Sequence, residues 1–126
     1  MRYPREQRLG QAAQFSAIRS GGRRFDTGAF LVSFWKRPDD HPFEPGQRCR
    51  LAINASRRVG GAVVRNRLKR VLREAFRLRQ AELPPGCDIW IQLKAAAAGL
   101  RSVELGRRLV EAGERYRKHL AVKTSP

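Results

Sequence analysis

Acidic residues are scarce in this chain. Of its 126 residues only 11 are Asp or Glu, against 27 Lys and Arg, for a formal net charge of +16. A self-sufficient two-metal nuclease needs several convergent carboxylates, and acids this thinly spread do not supply them. The adjacent pair Asp39-Asp40 lies among Pro38, His41 and Pro42 and reads as a turn former rather than a metal site. Histidine is equally rare: His41 and His119 are isolated, with no Ser or Cys nucleophile at a recognisable spacing. Cys49 and Cys87 are the only cysteines, sit far apart in apolar strand-like contexts and fit no metal-ligand spacing. They read as buried, reduced thiols of a cytoplasmic protein. Long hydrophobic runs are missing too; Ala95 to Leu100 is short and interrupted by Gly99, which excludes a spanning helix. No segment joins a basic face to surplus aromatics, so a membrane surface is not the expected partner. MRYPREQRLG has neither the apolar stretch of a secretory signal nor a serine-rich amphipathic presequence. Gly60-Gly61 precedes a helix but belongs to no GxGxxG or GxxxxGK[ST] motif.

What the chain has in excess is positive charge. Such a surplus destabilises a compact monomer by self-repulsion, and a polyanionic partner relieves it. The excess concentrates in one stretch, Arg57 to Arg77, RRVGGAVVRNRLKRVLREAFR. Wound as an α-helix from about Gly61, at about 100° per residue, it separates into two faces. Val64, Leu68, Val71, Leu72, Ala75 and Phe76 fall on one side. Asn66, Lys69, Arg70, Arg73 and Arg77 collect opposite, with Arg65 and Arg67 on the flanks. Glu74 is the single acid there and is expected to brace Arg70, one turn earlier. Solvated helices mix both signs of charge; a nearly uncompensated arginine face suits bidentate contacts to phosphate. The expected partner is nucleic-acid backbone.

The remaining elements follow from periodicity and turn chemistry. Residues 1–8 read as a flexible arm, and Leu9 to Ser20 as a short helix stopped by Gly21 and Gly22 through a left-handed cap. Phe30 to Trp35 is a strand, with a short one possible at Arg23 to Phe25. Arg37 to Gln47 holds three prolines and a glycine and is a loop. Arg48 to Ala55 alternates, with Cys49, Leu51, Ile53 and Ala55 inward and Arg48, Arg50 and Asn54 on a polar face. The basic helix runs to about Glu82, where Pro84, Pro85 and Gly86 end it. Cys87 to Leu93 is another strand, Ala95 to Gly99 a loop or helix entry, and Ser102 the N-cap of a last helix reaching about Leu120. Residues 121–126 form a tail. There is no internal repeat and no linker, so residues 1–126 read as one α+β domain whose strand–helix–strand unit makes a parallel pair.

The basic stretch closely resembles the protein subunit of bacterial ribonuclease P, whose signature is a basic doublet followed by V-G-x-A-V-x-R-N-R-x-K-R-x-x-R-E-x-F-R. Here Arg57-Arg58 is the doublet, and Val59 through Arg65-Asn66-Arg67, Lys69-Arg70 and Arg73-Glu74 to Phe76-Arg77 follow it. The resemblance implies a two-layer αβββαβα sandwich with a left-handed βαβ crossover, against the usual rule. It implies further that a large catalytic RNA subunit holds the active site and the Mg²⁺ ions and removes the 5′ leader of precursor tRNA. The protein would grip that RNA through Arg57, Arg58, Arg65, Asn66, Arg67, Lys69, Arg70, Arg73 and Arg77. A cleft between the first helix and the sheet, lined by Phe15, Arg19, Ser33 and Arg50, would take the single-stranded leader. Phe15 matches the family's cleft aromatic, and Trp35 and Trp90 are half-buried sheet residues that could join it. The chain departs from the family in its Arg-Arg doublet, in Gly61, and in Arg19 and Ser33 where aromatics occur. No protein partner is implied. The alternative reading of the charge is a ribosomal or other structural RNA-binding protein, which the size fits equally well.

Overall fold

A computed structural model of the chain describes residues 7–41 and 48–124. Its elements are α1 (Ala12–Gly21), β1 (Arg23–Asp26), β2 (Phe30–Lys36), β3 (Arg50–Ala55), α2 (Ala62–Arg79), β4 (Cys87–Leu93) and α3 (Ser102–Thr124). Short 3₁₀ turns at Arg57–Val59, Gln80–Glu82 and Ala95–Gly99 join them. The order is the expected αβββαβα, and the class is α+β. The sheet runs β1-β2-β4-β3. β1 and β4 flank β2 antiparallel, while β3 and β4 are the parallel pair that α2 connects.

Alternation along the strands gives the sheet two unlike faces. On the first, Phe30, Val32, Phe34, Leu51, Ile53, Ile89 and Ile91 are buried against Leu68, Leu72 and Phe76 of α2 and Leu105, Leu109 and Tyr116 of α3. Tyr116 stacks on Phe34 at 5.3 Å and accepts a hydrogen bond from the Lys36 backbone N–H at 3.1 Å. Each large side chain fully buried in this layer contributes roughly 1.5–3 kcal/mol. On the second face α1 covers a smaller cluster of Leu9, Ile18, Ala52 and Trp90, with Phe15 and Trp35 packed beside it.

Several local expectations are corrected. Of the arm expected over residues 1–8, only Gln7 and Arg8 are described, and Gln7 is buried. Its amide donates to the Cys49 carbonyl at 2.8 Å and to Gln80 Oε1 at 2.7 Å. Arg8 bridges to Leu51, and the Leu9 N–H donates to the Leu51 carbonyl. Leu9 is thereby committed to β3, so α1 starts at Ala12, where Gln14 Oε1 accepts the N–H groups of Gly10 and Gln11. Gly22 ends α1 in extended rather than left-handed backbone (φ −94°). Glycine is needed there for space: a Cβ would lie 2.5 Å from the Phe34 carbonyl oxygen. β3 begins at Arg50, two residues later than expected. Ser102 is the first residue of α3 rather than its cap, since the Arg101 carbonyl already accepts from the Leu105 N–H. Finally, the expected tail is helix as far as Thr124.

Candidate nucleic-acid interface

The basic doublet and α2 emerge from the open end of β3. Arg57 and Arg58 occupy an exposed 3₁₀ turn. Gly60 follows at φ +152°, a conformation side chains rarely adopt, and a Cβ there would come within 3.0 Å of Val64. Gly61 then caps α2 without a side-chain acceptor. The positive end of the helix dipole therefore adds to the arginines instead of being neutralised by an acidic cap.

The helix divides as its periodicity requires, with Leu68, Leu72 and Phe76 fully buried and Asn66, Arg70 and Arg73 exposed. The cations fall into two groups. Arg65 Nε donates to the Gly60 carbonyl at 3.2 Å and Arg67 Nη2 to the Ala98 carbonyl at 3.4 Å, so both are partly tied down. Glu74 pairs with Arg77, not with Arg70 as expected; the Arg77 guanidinium holds its carboxyl below the usual glutamate range. Among the described residues Arg57, Arg58, Lys69, Arg70 and Arg73 have no acidic partner. Beside them, α2 and the first turns of α3 border a groove of about 1000 Å³. Its walls carry Arg70 and Arg73 together with Leu78 and Val103, which are 65% and 74% exposed.

The second face of the sheet holds the residues assigned to a cleft. Phe15, half-buried on α1, meets Trp90 of β4 with ring centroids 4.8 Å apart, and the Arg19 guanidinium lies 5.3 Å from the Trp90 ring. Trp90 is only 9% exposed, more buried than expected, whereas Trp35 is half-buried. Ser33 and Arg50 do not line an open surface. Ser33 is 8% exposed and faces Trp90 in the strand register. Arg50 is also 8% exposed: its Nε and Nη2 each donate to Asp88 at 2.8 Å. Arg37 adds a third bond to Asp88 at 2.7 Å and also donates to the Arg48 carbonyl. Arg50 is thus a buried anchor and not part of a polar face. The missed residue is Asp88, fully buried at the centre of this network. Its signal in the sequence is an acid inside the otherwise apolar run Cys87 to Leu93.

Among the described residues no other reactive constellation competes with these two surfaces. Burial pushes the Cys49 thiol up, and burial together with the neighbouring Cys49 pushes Cys87 up to about 12. Both are free and buried, so they remain protonated and poor as nucleophiles or metal ligands at neutral pH. Among the described residues no three His, Cys, Asp or Glu side chains converge on a metal-sized site, and no helix is long and apolar enough to cross a membrane. Asp39 and Asp40 lie in a turn closed by the His41 N–H on the Pro38 carbonyl.

Both the sequence and the fold match known proteins. The Ribonuclease P family model matches residues 3–117. The ribonuclease P protein component of Desulfovibrio desulfuricans is 40% identical over 119 residues, covering 93% of this chain and 88% of that one. That of Shouchella clausii is 34% identical, covering 80% and 78%. Among solved structures, the RNase P protein from Thermotoga maritima superposes with a TM-score of 0.71 at 27% identity, over 86% of this chain and 96% of that one. The Staphylococcus aureus RNase P protein shares the fold, with a TM-score of 0.71 at 24% identity over 89% and 95%. A basic helix launched from a parallel strand pair, the doublet before it and an aromatic cluster behind the sheet thus occur together in a chain that belongs to the ribonuclease P protein family.

Proposed function

We propose that this chain is the RNA-binding, non-catalytic protein subunit of a ribonuclease P ribonucleoprotein in the cytoplasm. It assists a catalytic RNA in removing the 5′ leader from precursor tRNA. The observation that carries the reading is the row of cations without acidic partners on and before α2. Arg57, Arg58, Lys69, Arg70 and Arg73 would lie against the phosphates of the catalytic RNA, fixing its position without reading its sequence. Arg65, Asn66, Arg67 and Arg77 border the same surface. The Mg²⁺ ions that cleavage requires belong to the RNA in this reading, and the chain's part is to screen phosphate repulsion around them. The family match favours this assignment over a structural ribosomal role.

The cleft would hold the leader. Single strands are gripped by a basic groove and stacked on aromatic rings, each base contributing roughly 1–3 kcal/mol. In this reading Phe15 and Arg19 would touch the leader, with Ser33 and Arg50 buried in the sheet beneath. Phe15→Ala should therefore lower affinity for leader-bearing tRNA by about 5- to 100-fold and leave mature tRNA nearly unchanged. Equal losses for both would make Phe15 plain core packing. Reconstitution tests the whole assignment: protein and cognate RNA together should cleave the precursor at modest Mg²⁺, with the RNA alone slow and the protein alone inactive. Cleavage by the protein alone would refute it.

A further inference from the structure

The second face of the sheet is only partly covered by α1. Cross-strand register divides it into rows: Ser33, Trp90 and Ala52 lie side by side, and the next row is Leu31, Gln92 and Asn54. The first of these rows is buried under α1. The second is open, with Leu31 and Gln92 half-buried and Asn54 exposed. Asn54 and Gln92 are adjacent across the parallel pair β3–β4, where strands lie roughly 4.8 Å apart. Among the described residues neither amide side chain hydrogen-bonds to another protein group. Asn is disfavoured in strands, so nothing in the local fold calls for it here.

We propose that Asn54 and Gln92 form a base-reading site for single-stranded RNA, an inference that rests on the leader-binding reading of the neighbouring cleft. Each amide offers two donors and an acceptor in a planar fork, the group that pairs with base edges. Open sheets that bind single strands combine such groups with rings that stack bases. The amide pair lies between the aromatic cluster under α1 and the basic doublet. Trp90 precedes Gln92 by two residues on the same face and carries a buried indole N–H with no partner among the described residues. The exposed Arg57 and Arg58 follow Asn54 by three and four residues at the same end of the sheet. A strand leaving the Phe15–Trp90 cleft toward the doublet crosses the amides, its phosphates drawn to the arginines and a base edge turned to Asn54 and Gln92.

The test uses the reconstituted ribonucleoprotein and precursor tRNAs that carry each of the four bases at every leader position in turn. The wild-type complex should spread its affinities by about fivefold or more at one position. Asn54→Ala with Gln92→Ala should collapse that spread while the affinity averaged over the four bases changes less than about threefold. A wild-type complex with no spread at any position overturns the proposal. So does a spread that survives in the double variant, or a variant that loses affinity equally for all bases. A leader that adds no affinity over mature tRNA in the wild type would refute the cleft reading itself, and this site with it; a leader that adds affinity without base preference refutes this site alone.

Discussion

α2 and α3 pack side by side on one face of the sheet, and both turn arginine outward, yet their arginines keep different company. On α3, Arg107 pairs with Glu104 and Glu111, and Arg108 with Glu104 and the Thr27 carbonyl. Arg115 lies over Phe25 at 4.9 Å, and Arg117 donates to the Leu83 carbonyl at 2.7 Å. In the middle of α2, Lys69, Arg70 and Arg73 have no such partners among the described residues. The arginines of α3 are held by groups of the fold itself, and these cations of α2 are left uncompensated, as the proposed contact with RNA phosphate requires. Under the proposed function, the partner of a cation separates structure from function better than the cation count does.

The largest effect should come from the most enclosed arginines, those of the Asp88 network. Asp88→Ala leaves Arg37 and Arg50 buried without their carboxylate and should cost roughly 3–5 kcal/mol in chemical denaturation. A loss below about 1 kcal/mol would mean that these arginines reach water and are no different from those of α2. The surface pairs predict a smaller contrast. Glu104→Ala removes the acid shared by Arg107 and Arg108, leaving Arg107 with Glu111 alone, and should lower the melting temperature, on the order of a few degrees. Arg70→Ala with Arg73→Ala should leave it unchanged or raise it, because like charges on one helix face repel. A drop in both variants would erase the distinction between the helices.

The smallest effect concerns His41, which borders the Asp88 network. Burial first, and then the Arg50 charge, hold its imidazole below the ordinary value of 6.5. The unfolded chain therefore binds a proton that the folded chain refuses. Stability from this residue is present above about pH 6.5 and declines as the pH falls below it. His41→Asn should flatten the stability slope between about pH 5 and 7; an unaltered slope would place the titration elsewhere.

Much of this is legible in the sequence because two signals are local. Helical periodicity locates α2 and its buried stripe of Leu68, Leu72 and Phe76, and short runs rich in aromatic and β-branched residues locate β2 and β4. The order of basic residues from Arg57 to Arg77 marks the interface. Long-range pairings are not legible. Nothing near Gln7 announces that its amide will reach Cys49 and Gln80, and the alternation that puts Arg50 on a polar face cannot see Asp88 across the sheet. For the same reason Glu74, with arginines on both sides of it in the helix, pairs with Arg77 although its spacing suits Arg70 as well. The cleft suffers likewise, since how deeply α1 buries Ser33 and Trp90 depends on tertiary packing.

The central claim is that the uncompensated cations of α2 and its doublet bind RNA phosphate while the arginines of α3, held by the fold itself, do not. The most direct measurement is the salt dependence of binding to the catalytic RNA. Neutralising Arg57, Arg58, Arg70 and Arg73 together should reduce the slope of log affinity against log salt by about 3, because each neutralised phosphate contributes about 0.7 to 0.9 to the slope. Neutralising Arg107, Arg108, Arg115 and Arg117 should leave the slope unchanged. Equal slopes for the two variants, or a larger change from α3, would contradict the account.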